Sequence, residues 1–458
     1  MTRIKSENKE LYGQLFTLGL PIIIQNLLSA AVSSADVIML NFVGQSSISA
    51  VSLAANYASV LFMFYYGIGT GATLLCAQYF GKKDFRAIHA VEGIALRFSL
   101  LSGIIFALAA FFVPELMMSA FTTDAELIEI GASYLRWMGI AYISWAVIEV
   151  YVSVLRSVDR VRISMFLNIL AFSLNIVLNA VFIFGLFGAP KLGAAGVGLA
   201  TALSRLIELL ACVIVSVNSK DVKIVIKEIF ESNKVLFGDF LNLAIPAMIN
   251  DVSWGLAFSM YSVIMGHMSS DMVAANSIVV VVRNAATTFC FGIASAGGIM
   301  LGNIIGEGDM EKAKKAGHTL VIATIGAGIL GGIVVAAASP FVLHMVSLSE
   351  TAMGYLRFML LINVYYIMGQ AVNTTLIAGV FRAGGDTKFG MICDTIDMWC
   401  YSVPLGFLAA FVFKAPPMVV YFLLCTDEFV KWPWVIRRYR SRKWLNNITR
   451  DNLFEGGE

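Results

Sequence analysis

Leu18-Gly-Leu-Pro-Ile-Ile-Ile-Gln-Asn26 returns 225 residues further on as Leu243-Ala-Ile-Pro-Ala-Met-Ile-Asn-Asp251. The register then holds without a gap: Ala50 meets Ala275, Ser52 meets Ser277, Gly67-Ile68 meets Gly292-Ile293, Gly81 meets Gly306 and Asp84 meets Asp309. With small changes of offset, Tyr134-Leu135-Arg136 pairs with Tyr355-Leu356-Arg357, and Arg156 with Arg382. The chain is two copies of one unit. Around the first copy of the motif, Asp36 is the only charged residue between Leu11 and Gly81. A stretch that long holds two bilayer crossings of about 20 or more residues each, with a turn near Gly44-Gln45-Ser46-Ser47.

Further apolar stretches predict helices near 88–113, 124–155, 163–187, 195–217, 236–266, 271–304, 316–341, 351–380, 390–412 and 417–436, twelve crossings in all. The 458 residues are 59% hydrophobic and only 14% charged, with a mean hydropathy of +0.81, far more apolar than a soluble domain. Gly, Ala and Ser fall inside the apolar stretches, where small residues let membrane helices approach. Because six crossings per copy is an even number, both copies enter from the same side and form parallel repeats about an axis along the membrane normal. The expected fold is an all-α membrane protein: twelve transmembrane helices in two parallel six-helix repeats around a central cleft lined mainly by helices one, two, seven and eight. The expected divisions are an N-lobe at 1–218, a solvated linker at 219–234, a C-lobe at 235–445 and a tail at 446–458.

Lys and Arg concentrate on one set of connections: Arg3, Lys5 and Lys9; Lys82, Lys83 and Arg86; Arg156, Arg160 and Arg162; Lys220, Lys223, Lys227 and Lys234; Lys312, Lys314 and Lys315; Arg382 and Lys388; and Arg437, Arg438, Arg440, Arg442 and Lys443. The alternate connections hold almost none, and the one at Phe121-Thr-Thr-Asp-Ala-Glu126 is acidic. Basic loops stay cytoplasmic, so a multi-pass cell-membrane protein with both termini cytoplasmic is expected. No cleavable signal peptide is expected, since the first apolar segment is too long for one.

The net charge of +2 gives no reason to expect a nucleic-acid partner. Six cysteines and four histidines lack ligand spacing, so neither a disulfide nor a metal site is expected. No clustered nucleophile and base suggests an enzyme, and the short loops leave a receptor no recognition surface.

Ionisable residues inside spans cost several kcal/mol and stand as functional candidates. Asp36 and Asp251 come first. Asp394 and Asp397 on helix eleven share a face and either pair with Arg283 of helix eight or cap a helix. Glu149, seven residues before Arg156, faces the cleft or snorkels. Arg205 and Glu208 are spaced for an intrahelical ion pair. Aromatics including Tyr65 and Tyr142 could stack on an organic cation, and Asn250 beside Asp251 joins the candidate cleft.

Taken in order, these motifs resemble the multidrug and toxic compound extrusion (MATE) family along nearly the whole chain. The resemblance rests on Leu20-Pro21 followed fifteen residues after the proline by Asp36, on Gln78-Tyr-Phe-Gly-Lys-Lys-Asp84 and its second copy Gly302 to Asp309, on Arg382-Ala-Gly-Gly-Asp-Thr387, and on Asn175-Ile-Val-Leu-Asn179 with Leu199-Ala-Thr-Ala202. It implies a secondary active efflux antiporter that exports amphipathic, often cationic, small organic compounds in exchange for protons or sodium, with no cofactor beyond the coupling ion. It also implies that Asp36, Asn175, Asn179 and Thr201 form the N-lobe coupling set, with Asn179 where many relatives have a second Asp, and that Asp251 is a C-lobe counterpart. A monomer in the lipid bilayer is expected; a flippase for lipid-linked precursors is the alternative.

Overall fold

Aspartates and glycines set the helix ends, and they do so identically in the two repeats. Asp84 accepts a hydrogen bond from the Ala87 backbone amide (3.0 Å), and its repeat equivalent Asp309 accepts one from Lys312 (2.9 Å). Each supplies one of the acceptors that a helix start lacks. The preceding helices end at the paired Gly81 and Gly306. Between end and cap the chain needs a left-handed residue, and it uses Lys83 (φ 63°) in one copy and Gly308 (φ 84°) in the other. Only the glycine adopts that conformation without strain.

The computed structural model describes residues 2–231, 233–346, 348–451 and 453–454, apart from the side chains of 2–8, 33, 34, 37 and 41. The orienting charges Arg3 and Lys5, and residues 452 and 455–458 of the expected tail, lie outside that description. The long helices are α1 (Thr2–Asn41), α2 (Gln45–Gly81), α3 (Phe85–Phe112), α4 (Ala125–Ser157), α5 (Val161–Phe184), α6 (Gly193–Asn218), α7 (Lys234–Met268), α8 (Ser270–Gly306), α9 (Met310–Met345), α10 (Glu350–Phe381) and α11 (Thr387–Val412). There is no strand among the described residues. Among the described residues, eleven helices are long and apolar enough to cross a bilayer. Phe42, Phe112, Val217, Val281 and Phe413 are each at least 70% exposed, a surface that suits lipid rather than water.

The expected twelfth helix is corrected in one respect. Residues 417–440 form three pieces, Pro417–Leu424, Asp427–Val430 and Trp432–Arg440, together α12. The Asp427, Glu428 and Lys431 side chains are buried at the breaks. Neighbouring helices also loosen: π-helical turns occur at Thr375–Phe381 of α10 and at Asp397–Ser402 and Leu408–Val412 of α11. Such turns are rare and gather at functional sites.

The chain divides into two compact units, Met1–Ile23 with Ile245–Thr449 and Ile24–Ala244 with Arg450–Glu458. The divisions fall inside α1 and α7, beside Pro21 and Pro246, and both helices run continuously through their prolines. In the unit built mainly from the first repeat, the Tyr65 hydroxyl donates to the Tyr142 carbonyl (2.7 Å) and the Tyr57 hydroxyl to the Phe106 carbonyl (2.9 Å). Gly139 packs on the Ala107 backbone, so small residues bring the helices together there. The linker is less solvated than expected. Its short helix Ile226–Phe230 sits on α3, where a side chain at Gly93 would collide with the Glu228 carbonyl. Arg160 holds Asp221 at 2.9 Å.

In the other unit the core gathers Tyr261, Met272, Leu356, Met359, Tyr366 and Ile367. Gly328, Gly331 and Gly332 of α9 admit α10 at close range. The indole of Trp444 is buried beside Gly317, and the Trp444 carbonyl occupies the space over Gly384.

Candidate functional site

Asp36 lies four turns beyond Pro21 on α1, where α5 and α6 can reach it. Asn175 and Asn179 are one turn apart on α5 and therefore share a face. Asn179 donates from Nδ2 to Asp36 Oδ1 (2.6 Å) and to Asn175 Oδ1 (3.1 Å). Asn175 donates to the Thr201 hydroxyl (3.1 Å), which donates to the Val197 carbonyl (3.0 Å). The expected set is thus one hydrogen-bonded chain inside a single unit. Asn175 and Asn179 are buried, Asp36 is half-buried, and the Asn179 Oδ1 atom has no partner among the described residues. Asp36 is the only carboxylate in this hydrogen-bonded set, so gain or loss of its charge changes what the Asn179 amide meets, and Asn179 is the link to Asn175 and Thr201.

The unit built mainly from the second repeat holds a larger cluster. Asp251 receives Arg382 Nη2 (2.7 Å), and the same nitrogen donates to Asn250 Oδ1 (2.8 Å). Asn250 donates in turn to Asp394 (2.8 Å). Lys431 Nζ lies 3.1 Å from Asp394, 3.2 Å from Glu428 and 3.8 Å from Asp397. Asp427 accepts the Tyr261 hydroxyl (3.2 Å), and Asn373 donates to Glu428 (2.6 Å). The cluster therefore gathers five carboxylates and two cations, and it borders a cavity of about 70 Å³ lined by residues including Asp251, Asn373, Arg382 and Lys431. The π-helical turns of α10 and α11 and the breaks of α12 present these side chains together, because a widened turn re-aims the residues that follow it.

Two expectations change here. Asp394 and Asp397 meet Lys431, not Arg283, because Arg283 sits over the rings of Phe258 (4.9 Å) and Tyr366 (5.8 Å). Arg382, counted among the loop charges, is buried in the cluster. The other candidates separate. Glu149 lies 3.5 Å from Arg156, and Arg205 pairs with Glu208 at 2.6 Å as its spacing implied. Tyr65 and Tyr142 are inside the core of the unit built mainly from the first repeat.

Several buried charges escaped the sequence reading. Asp427, Glu428 and Lys431 form the run Thr426-Asp-Glu-Phe-Val-Lys431 in an expected span, which was the available signal. Glu92 of α3 was the other: it is buried, and neither carboxylate oxygen has a hydrogen-bond partner among the described residues.

A family model described as MatE matches the chain over residues 21–181 and 246–408, each match starting at one of the paired prolines. The chain is 23% identical to the Uncharacterized transporter YisQ of Bacillus subtilis (strain 168), covering 94% of each protein. It is 24% identical to the Probable multidrug resistance protein NorM of Rhizobium meliloti (strain 1021), covering 87% of this chain and 86% of that protein. The crystal structure of MATE in the straight conformation has the same fold, with a TM-score of 0.83 at 19% identity over 94% of this chain and 96% of that one.

Proposed function

This chain belongs to the MatE family and is a multi-pass membrane transporter, and from that premise we propose that it is a secondary active antiporter. It exports amphipathic, often cationic, organic compounds in exchange for protons or sodium ions. The observation that carries the reading is the Asp36 relay: an intramembrane carboxylate that accepts from Asn179, whose amide also donates to Asn175 and through it on to Thr201. Such a group has two states, charged with the Asn179 amide engaged or neutralised by a proton or cation. A ligand that binds the two states unequally shifts the conformational balance. The carboxylate surplus around Lys431 offers a second place for the coupling ion to load. The name of NorM supports export of drug-like compounds as the work of this chain, which acts as a monomer.

The test uses purified protein in liposomes loaded with a fluorescent organic cation, with proton and sodium gradients imposed separately. Efflux is expected to follow one of the gradients; efflux indifferent to both would exclude antiport. The proposed site of action is the cell membrane with both termini cytoplasmic. A reporter tag moved from the C-terminus into the loop around Thr122 to Ile128 should therefore change from cytoplasmic to external accessibility. A cytoplasmic signal at both positions would overturn the orientation.

A further inference from the structure

Within the unit that holds the charge cluster lies a second, separate cavity of about 220 Å³ between α7, α8, α10 and α12. Its walls include Phe258, Tyr366 and Tyr421, and its polar groups include Ser262 and Asn276. Only one of its lining residues is charged at neutral pH, and that residue is Arg283. The guanidinium carbon lies 4.9 Å from the Phe258 ring centre and 5.8 Å from that of Tyr366. None of its five N–H donors meets an acceptor, and no carboxylate comes within ion-pair distance, among the described residues.

The carboxylate that acts on it, Asp427, is not in the lining and is already engaged. Its Oδ2 atom accepts the Tyr261 and Tyr366 hydroxyls, and its Oδ1 atom accepts the Glu428 backbone amide. Arg283 therefore turns an unspent, permanently charged fork toward the cavity. That fork matches a carboxylate in two parallel hydrogen bonds. The space also suits a ring, since an apolar cavity of about 150 Å³ suffices for benzene. We infer that this cavity is a binding site for an aromatic carboxylate, held by Arg283 through its acid group and by Phe258 and Tyr366 through its ring.

The inference rests on the transport reading only in making such a group part of the exported compounds, so that zwitterionic amphiphiles rank above plain cations. Its chemistry is opposite to that of the Asp36 chain: one site answers to cations, the other to an anionic group. The two assignments can fail independently, because binding at Arg283 is measured at equilibrium without a gradient.

The test uses purified full-length protein in detergent and salicylate, followed by its own fluorescence, with benzylamine and benzyl alcohol as cationic and neutral rings of similar size. Wild type should bind salicylate at least tenfold more tightly than either control. Arg283→Gln should lose that preference, and Arg283→Lys should regain part of it, having the charge without the fork. Absence of salicylate binding, tighter binding of benzylamine, or an unchanged salicylate affinity in Arg283→Gln would each overturn the assignment. If Arg283→Gln does not fold, the wild-type comparison of the three rings decides alone. Salicylate binding that depends on Arg283, beside efflux that ignores both gradients, would leave this site standing and remove the antiport reading.

Discussion

Proteoliposomes containing Asp36→Asn are expected to lose gradient-driven efflux, with rates at least about a hundredfold below wild type and level with empty vesicles, a factor that corresponds to about 2.7 kcal/mol. The substitution removes the only titratable group in the chain that Asn179 heads. It keeps the shape, and the new amide oxygen can accept the same bond from Asn179 Nδ2. Exchanging a bond to a charged acceptor for one to a neutral acceptor costs about 1 kcal/mol, too little to unfold the protein. Size-exclusion behaviour and thermal melting should therefore stay near wild type while transport disappears. Wild-type efflux across a range of pH would sink the role given to Asp36 and pass it to the carboxylates around Lys431.

Lys431→Met should act in the opposite manner, on stability first. The ammonium is fully enclosed and stands within 4 Å of Asp394, Asp397 and Glu428. Removing one partner of a buried ion pair costs about 3–5 kcal/mol, because the remaining charge has neither water nor a counter-ion. For units of this size, that magnitude lowers the melting temperature by roughly 6–20 °C, and the protein should accumulate poorly. Adding Asp394→Asn and Glu428→Gln to Lys431→Met should recover much of the loss, since the uncompensated acids go with their cation. A Lys431→Met protein that melts with wild type would show that the carboxylates are satisfied without it.

The contrast between these residues explains what the sequence could reveal. Asp36 was legible because it interrupts a long uncharged stretch, and Asn175 and Asn179 because their spacing puts them on one helical face. Both are local signals. The repeat was legible for the same reason, and it reaches the atomic level in the Asp84 and Asp309 caps. The cluster around Lys431 depends on α7, α10, α11 and α12 meeting, and no periodicity announces such a meeting. Over a whole span, the apolar residues at 417–424 outweigh the charges at 427, 428 and 431, so one continuous helix was expected where the chain breaks. Arg382 misled differently: next to Gly384 and Gly385 it looks like a loop charge, yet the π-helical turns before it carry it inward.

The division of the chain inside α1 and α7 bears on ancestry. Each unit contains the opening turns of a helix whose remainder belongs to the other unit, and the points of exchange lie beside the paired prolines of the repeat. Reciprocal exchange of an identical terminal element is an inexpensive way for two copies of one chain to associate. A six-helix ancestor that lent its N-terminal turns to a sister copy would have made the same exchange between two separate chains. Joining the copies end to end, through the segment that is now 219–231, preserves the exchange and allows the halves to diverge. The Asp36 chain in one unit and the Lys431 cluster in the other show how far the halves differ: the repeat register sets Asp36 against Tyr261 and Asp251 against Asn26. On this account the covalent linker arrived after the association it now makes permanent.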